Sequence, residues 1–169
     1  MAASRRPGSR RPGSPEGPAA LAARLARVAR RVLAWERADG ARVELTLLDG
    51  AAMRRLNRRA TGRRGLTDVI AFALRQPDRT LVGDVYICPE AARRWVDGVP
   101  RSPFPVPRKT RPGNVQRVTW NVAEELVRLA VHGTLHVLGY DHPDGPGRTR
   151  SAMWRRQERY VRRLHNGGA

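Results

Sequence analysis

The sequence predicts an α+β domain. Three observations predict it. Several segments carry apolar residues at the three-to-four spacing of a helix buried on one side. One segment alternates apolar and polar residues with the period of a half-buried strand. Two short apolar runs, joined by turn residues, read as an antiparallel hairpin of buried strands. At 169 residues the chain suits one domain, expected over residues 19–165. Apolar residues make up 40%, and the deficit sits at the ends and in one internal loop.

Residues 1–18 hold Arg-Arg-Pro-Gly-Ser twice, from Arg5 and from Arg10. Such a segment cannot bury a core, so a disordered basic tail is expected. It adds non-specific RNA affinity or is a dispensable extension. From Ala19 to Ala38, Leu21, Leu25, Val28 and Val32 fall at steps of four, three and four, an amphipathic helix that Asp39-Gly40 ends. Val43, Leu45 and Leu47 alternate with Arg42, Glu44 and Thr46, which predicts a strand. Asp49 suits the N-cap of a second helix carrying Met53 and Leu56.

Residues 57–66 are basic and glycine-bearing and are expected to form a loop. Arg58, Arg59, Arg63 and Arg64 make it either a phosphate-contact surface or a solvated connector. Thr67–Leu74 and Leu81–Cys88 are the two buried strands, with Gln76-Pro-Asp-Arg79 as the turn. Pro89 fits the first turn of a third helix ending near Val96. Residues 97–117, with five Pro and two Gly, are expected to be a long Pro-rich surface loop. Asn121 and Glu124 resemble a capping box for a fourth helix. A basic fifth helix follows, marked by Met153, Tyr160, Val161 and Leu164.

The fourth helix carries the chemistry. The chain has four His, and three lie within His132-Gly-Thr-Leu-His136-Val-Leu-Gly-Tyr-Asp-His142. His132 and His136 are four apart, so both rings leave one helix face about a turn from each other. Gly139 can cap the helix at positive φ, which turns the chain and returns His142 to the same point. Three imidazoles with an open fourth position form the ligand set of a catalytic Zn²⁺, one ion, rather than a closed structural site. Such an ion brings the pKa of water at its open position to near 7, so no side-chain base is assigned. The spacing also matches the zinc-peptidase pattern, but Gly133 stands where that class needs its Glu base. Glu124 and Glu125 lie about two turns upstream and cannot replace it. His165 has no assigned role.

Charge adds the second signal. Thirty-three Lys+Arg against fifteen Asp+Glu give a net charge of +18. A field of that sign attracts polyanions, nucleic acid first and acidic lipid second. Cys88 is the single cysteine, so no internal disulfide forms and no disulfide-linked partner is expected. Its apolar neighbours suit a core residue. No run approaches the ~20 apolar residues that cross a bilayer, and no secretory leader is read at the N-terminus. A reducing cytoplasm is the expected setting.

The His132–His142 block resembles the signature of the YbeY endoribonucleases, the ribosomal RNA maturation factors. Three further segments agree in order. Leu56-Asn57 followed by Thr67-Asp-Val-Ile-x-Phe72 is similar to the family's Leu-Asn…Thr-Asp-Val-Leu-Ser-Phe block. Gly83-Asp84-Val-x-Ile87 is similar to its Gly-Asp-Ile-x-Ile strand, and Met153 falls where the family carries Met. The likeness covers roughly residues 40–160.

That resemblance implies a small mixed β-sheet packed with about five helices, and a Zn²⁺ held by His132, His136 and His142. It implies a single-strand-specific metallo-endoribonuclease acting in 3′-end maturation of 16S-type small-subunit rRNA and in late ribosome quality control. Its partners are then precursor rRNA and the ribosome or ribosomal proteins, with no membrane. The chain departs from the pattern at Ala60 and Thr61, where the family continues Tyr-Arg with a functional Arg, and at Ala71, where it carries Ser. A non-catalytic, zinc-stabilised ribosome assembly factor is therefore the alternative expectation, and a zinc peptidase a third.

Overall fold

The computed structural model describes residues 17–96 and 122–167. Five helices and three strands follow in the order α1 (Pro18–Trp35), β1 (Ala41–Leu47), α2 (Gly50–Thr61), β2 (Val69–Arg75), β3 (Leu81–Ile87), α3 (Pro89–Val96), α4 (Val122–Val137) and α5 (Ala152–Asn166). A 3₁₀ turn, Arg148–Arg150, precedes α5. Residues 1–16 of the expected tail and the Pro-rich loop at 97–117 lie outside the described residues, as does Asn121 of the expected capping box, while Gly17 and Pro18 cap and open α1.

The sheet is mixed, ordered β1-β3-β2. β3 runs parallel to β1, with Leu45 opposite Val85, and antiparallel to β2, with Ala71 opposite Val85. Central β3 buries Gly83, Val85 and Ile87 on one face. β1 alternates half-buried and exposed positions along its length, the pattern its sequence predicts. The β2–β3 hairpin closes with the Gln76 N–H donating to the Thr80 carbonyl at 2.8 Å.

Across the buried face lies α4. Leu126, Leu129, Ala130, Val131, Leu135 and Val137 are all buried, because the helix is covered by β2 and β3, by α1, and by α3 and α5. A helix apolar on most sides belongs in the middle of a core. Leu25, Val28 and Val32 of α1 and Met153 and Tyr160 of α5 complete that core. Each fully buried aliphatic side chain contributes roughly 1.5–3 kcal/mol.

Two close approaches set α4 on the sheet. A Cβ at Gly133 would stand 2.4 Å from Val85 Cγ1, and one at Gly83 would stand 2.3 Å from Val137 Cγ1. The helix supplies one missing side chain and the strand the other, so the two backbones come together at both points.

The structure corrects three expectations. Residues 57–66 are not all loop: α2 continues through Arg58 and Arg59 to Thr61, and stops at Gly62, which caps it at φ 71°. Arg and Ala sustain a helix until a residue that tolerates positive φ ends it. β2 is an edge strand rather than a buried one; Phe72 is 40% and Leu74 64% exposed. Among the described residues no strand pairs with its outer side, and α4 covers its first half, which short apolar runs do not reveal. α1 ends at Trp35, three residues early, because Arg37 adopts φ 53°.

Candidate metal centre

Helix α4 ends in two nested bonds. The Tyr140 N–H donates to the Leu135 carbonyl at 3.0 Å and the Gly139 N–H to the His136 carbonyl at 2.9 Å, with Gly139 at φ 88°. This glycine corner reverses the chain. His142 returns over the helix end and its ring meets those of His132 and His136.

The three rings offer nitrogen atoms within 4.8 Å of one another. His132 Nε2 lies 3.0 Å from His136 Nε2 and 3.4 Å from His142 Nε2. Ligands about 2.05 Å from a tetrahedral ion stand about 3.3 Å apart, so these separations fit one small divalent cation. The opposite ring nitrogens are held from behind. His132 Nδ1 donates to Gln157 Oε1 at 2.7 Å, and His142 Nδ1 donates to the Pro143 carbonyl at 3.2 Å. Asp141 Oδ1 stands 3.8 Å from His136 Nδ1. Gln157 is itself fixed, because its Nε2 donates to Glu158 Oε1 at 3.0 Å and Arg128 Nε donates to the same oxygen at 2.9 Å. With the proton on Nδ1, each Nε2 presents a lone pair inward, the arrangement that metal-ligating His require.

Electrostatics agree with the geometry. Burial, with the charges of His136, Arg148 and His142, outweighs the Gln157 hydrogen bond and lowers the His132 pKa to about 3. Burial and His142 lower that of His136 too. Neutral imidazoles with facing lone pairs repel one another, and a cation between them removes the repulsion. The donor set, three nitrogens and no thiolate, suits Zn²⁺ and admits other divalent ions.

Beside the rings is an open cleft of about 780 Å³. Its far wall is the loop after α2 and the start of β2. Asn57 pins that loop, since its Nδ2 donates to the Gly65 carbonyl at 3.2 Å. Arg63 and Arg64 line the cleft; Arg58 and Arg59 are exposed on α2 and do not. Thr61 turns back on its own helix, its hydroxyl donating to the Asn57 carbonyl at 2.8 Å. Asp68, Asp144 and Arg148 complete the lining. Burial pushes the Asp68 carboxyl above its ordinary value, against hydrogen bonds from its own backbone N–H and others and the Arg148 charge.

Sequence reasoning did not single out Gln157, Asp68 or Arg148 for a role. Gln157 had a signal, since it occupies the apolar stripe of α5 between Met153 and Tyr160. Arg148 had none among so many Arg residues.

Residues 18–99 and 110–165 match the family described as endoribonuclease YbeY. The chain belongs to that family. An endoribonuclease cleaves phosphodiester bonds within an RNA strand. Among curated relatives of that name, the protein of Moorella thermoacetica is 38% identical over 75% of this chain and 77% of its own. That of Desulfitobacterium hafniense is 35% identical over 79% and 78%, and that of Pelotomaculum thermopropionicum 33% over 86% and 88%. The solution structure of TM1509 from Thermotoga maritima shares the fold, with a TM-score of 0.53 and 24% identity over 92% of this chain and 87% of that one. No described helix is long and apolar enough to cross a membrane.

Proposed function

We propose that this chain is a zinc-dependent endoribonuclease that cuts single-stranded RNA, and that its substrate is the 3′ end of a small-subunit rRNA precursor. The convergence of three inward Nε2 atoms beside a cleft lined by Arg63 and Arg64 carries this reading. Family membership supports the nuclease activity. The resemblance in the sequence supports the ribosomal substrate and the cytoplasmic setting, and the charge of +18 suits a polyanionic partner.

His132, His136 and His142 would hold the ion. When bound, it supplies Lewis acidity, which acidifies water and offsets charge developing on a phosphoryl oxygen. Gln157 and the Pro143 carbonyl keep the rings in the tautomer that presents Nε2. Arg63 and Arg64 reach flanking phosphates, where a guanidinium fork binds two oxygens.

Gly133 speaks against a peptidase. That class places a Glu at this position, and here a Cβ alone would collide with Val85. A non-catalytic assembly role is favoured by one observation: Thr61, where the family carries a functional Arg, is bonded to α2 itself.

Metal analysis beside RNA cleavage tests the proposal. We expect about one equivalent of zinc, cleavage of unstructured RNA that chelation stops and Zn²⁺ restores, and loss of both ion and cleavage in His136→Ala. Cleavage by His136→Ala at the wild-type rate would remove the reading. A zinc-loaded wild type that never cuts RNA would favour the assembly factor.

A further inference from the structure

Arg148 is placed unlike the other cations of the cleft. Gly145 and Gly147, both left-handed at φ 91° and 116°, fold the segment after His142 back toward the rings. The 3₁₀ turn then directs Arg148 into the cleft. Its Nη2 lies 3.5 Å from His132 Nε2, the nitrogen that faces the other two rings. Its Nε is buried and has no hydrogen-bond partner among the described residues. Arg63 and Arg64, by contrast, are exposed on the opposite loop.

Arg148 is half-buried, and a buried guanidinium donor left unmet costs free energy, which a carboxylate ordinarily offsets. Two nearby acids have other partners. Asp144 pairs with Arg63 at 3.4 Å, and Asp141 accepts from the His142 N–H at 2.8 Å. Asp68 is near enough to feel the Arg148 charge, yet burial pushes its carboxyl toward the neutral form. Any divalent ion taken up by the three His adds positive charge beside the guanidinium. Two cations held together over a half-buried floor call for a shared anion. A phosphoryl group answers that demand: one oxygen can face the ion's position while others accept from the planar guanidinium.

We propose that Arg148 seats a phosphoryl group beside the three-His centre. On the nuclease reading, on which the RNA part of this inference rests, that group is the scissile phosphate. Arg148 then offsets charge on it as the bond breaks, whereas Arg63 and Arg64 hold its neighbours.

The test compares zinc-loaded wild type, Arg148→Ala and Arg148→Lys in two assays. One is cleavage of an unstructured oligoribonucleotide; the other is binding of inorganic phosphate by titration calorimetry. Zinc content and circular dichroism are measured on the same samples. In Arg148→Ala, kcat is expected to fall about 100-fold, with KM moving far less. Phosphate affinity is expected to fall about tenfold, the loss of one charge-assisted hydrogen bond, with zinc content unchanged. Arg148→Lys recovers part of the phosphate affinity and less of kcat, since it keeps the charge but not the fork, and it carries the test if the Ala variant does not fold. Phosphate affinity and kcat both within about twofold of wild type in the substituted proteins overturn the proposal. A loss that follows zinc content overturns it too. A wild type that binds phosphate through Arg148 but cuts no RNA supports the anion site and removes the nuclease reading instead.

Discussion

Gly133 of α4 faces Val85 of β3 so closely that a single added methyl would lie 2.4 Å from Val85 Cγ1. The residue next to His132 on the helix is thus a packing residue. It sets the distance from helix to sheet, and with it the height of His132 and His136 above the cleft floor.

Gly133→Ala should therefore overpack the core. The expected cost is about 1–3 kcal/mol, or a fall in Tm of roughly 3–10 °C for a chain of this size. Val85→Ala introduced together with it should restore part of the loss, because the two positions share one space. Thermal melts of the wild type, the two single variants and the double variant check this. Strictly additive effects would show that this approach does not limit the packing.

Gln157 is expected to act on a bound ion through His132. Gln157→Leu keeps the volume but leaves His132 Nδ1 without its acceptor at 2.7 Å. Zinc affinity is expected to drop about 10- to 100-fold, the usual effect of removing a partner behind a metal-ligating His. Competition with a chromophoric chelator measures it. An unchanged affinity would mean that packing alone orients the ring.

Glu36 ties three elements together and should make stability pH-dependent. It caps α1, its side chain is 8% exposed, and it accepts from Tyr160 at 2.5 Å, Tyr140 at 2.8 Å and Arg156 at 2.8 Å. Burial would raise its pKa, but the bonds from Arg156, Tyr160 and Tyr140 outweigh burial and hold it below the ordinary 4.5. A carboxyl depressed by folding stabilises the native state above its unfolded value, and that contribution is lost as pH falls through the folded one. Metal-free wild type should thus melt above Glu36→Gln at about pH 6, and the two should converge as the pH drops well below 4.5. A gap in Tm that stays constant down to about pH 3 would contradict this assignment.

The two pairs of Arg should separate in salt. Arg63 and Arg64 line the cleft, while Arg58 and Arg59 do not. The Arg63–Asp144 pair is largely exposed and binds Arg63 only weakly. Replacing Arg63 and Arg64 with Ala should lower the slope of log K against log salt for single-stranded RNA by about 1.4, or about 0.7 for each phosphate no longer neutralised. The same change at Arg58 and Arg59 should leave it nearly as it was. Equal slopes for both double variants would place the RNA path elsewhere.

The sequence by itself determined the parts of the site that are local. A spacing of four on a helix puts His132 and His136 one turn apart whatever surrounds them, and a glycine at position 139 ends that helix at positive φ. The Asp49 cap, the β2–β3 hairpin and the buried Cys88 follow from the same short-range rules. Gly133 in place of a Glu base is local as well, visible in the letters alone.

Tertiary structure decided what meets across the chain. Parallel pairing of β1 with β3 left β2 at the edge, so its apolar residues Phe72 and Leu74 are exposed although their sequence suits a core. Packing of α5 against α4 brought Gln157 to His132, twenty-five residues away. Two left-handed glycines aimed Arg148 at the rings. Periodicity reports which face of an element is apolar; it carries no information on which distant side chain will stand against that face, because that depends on the free energy of packing the whole chain.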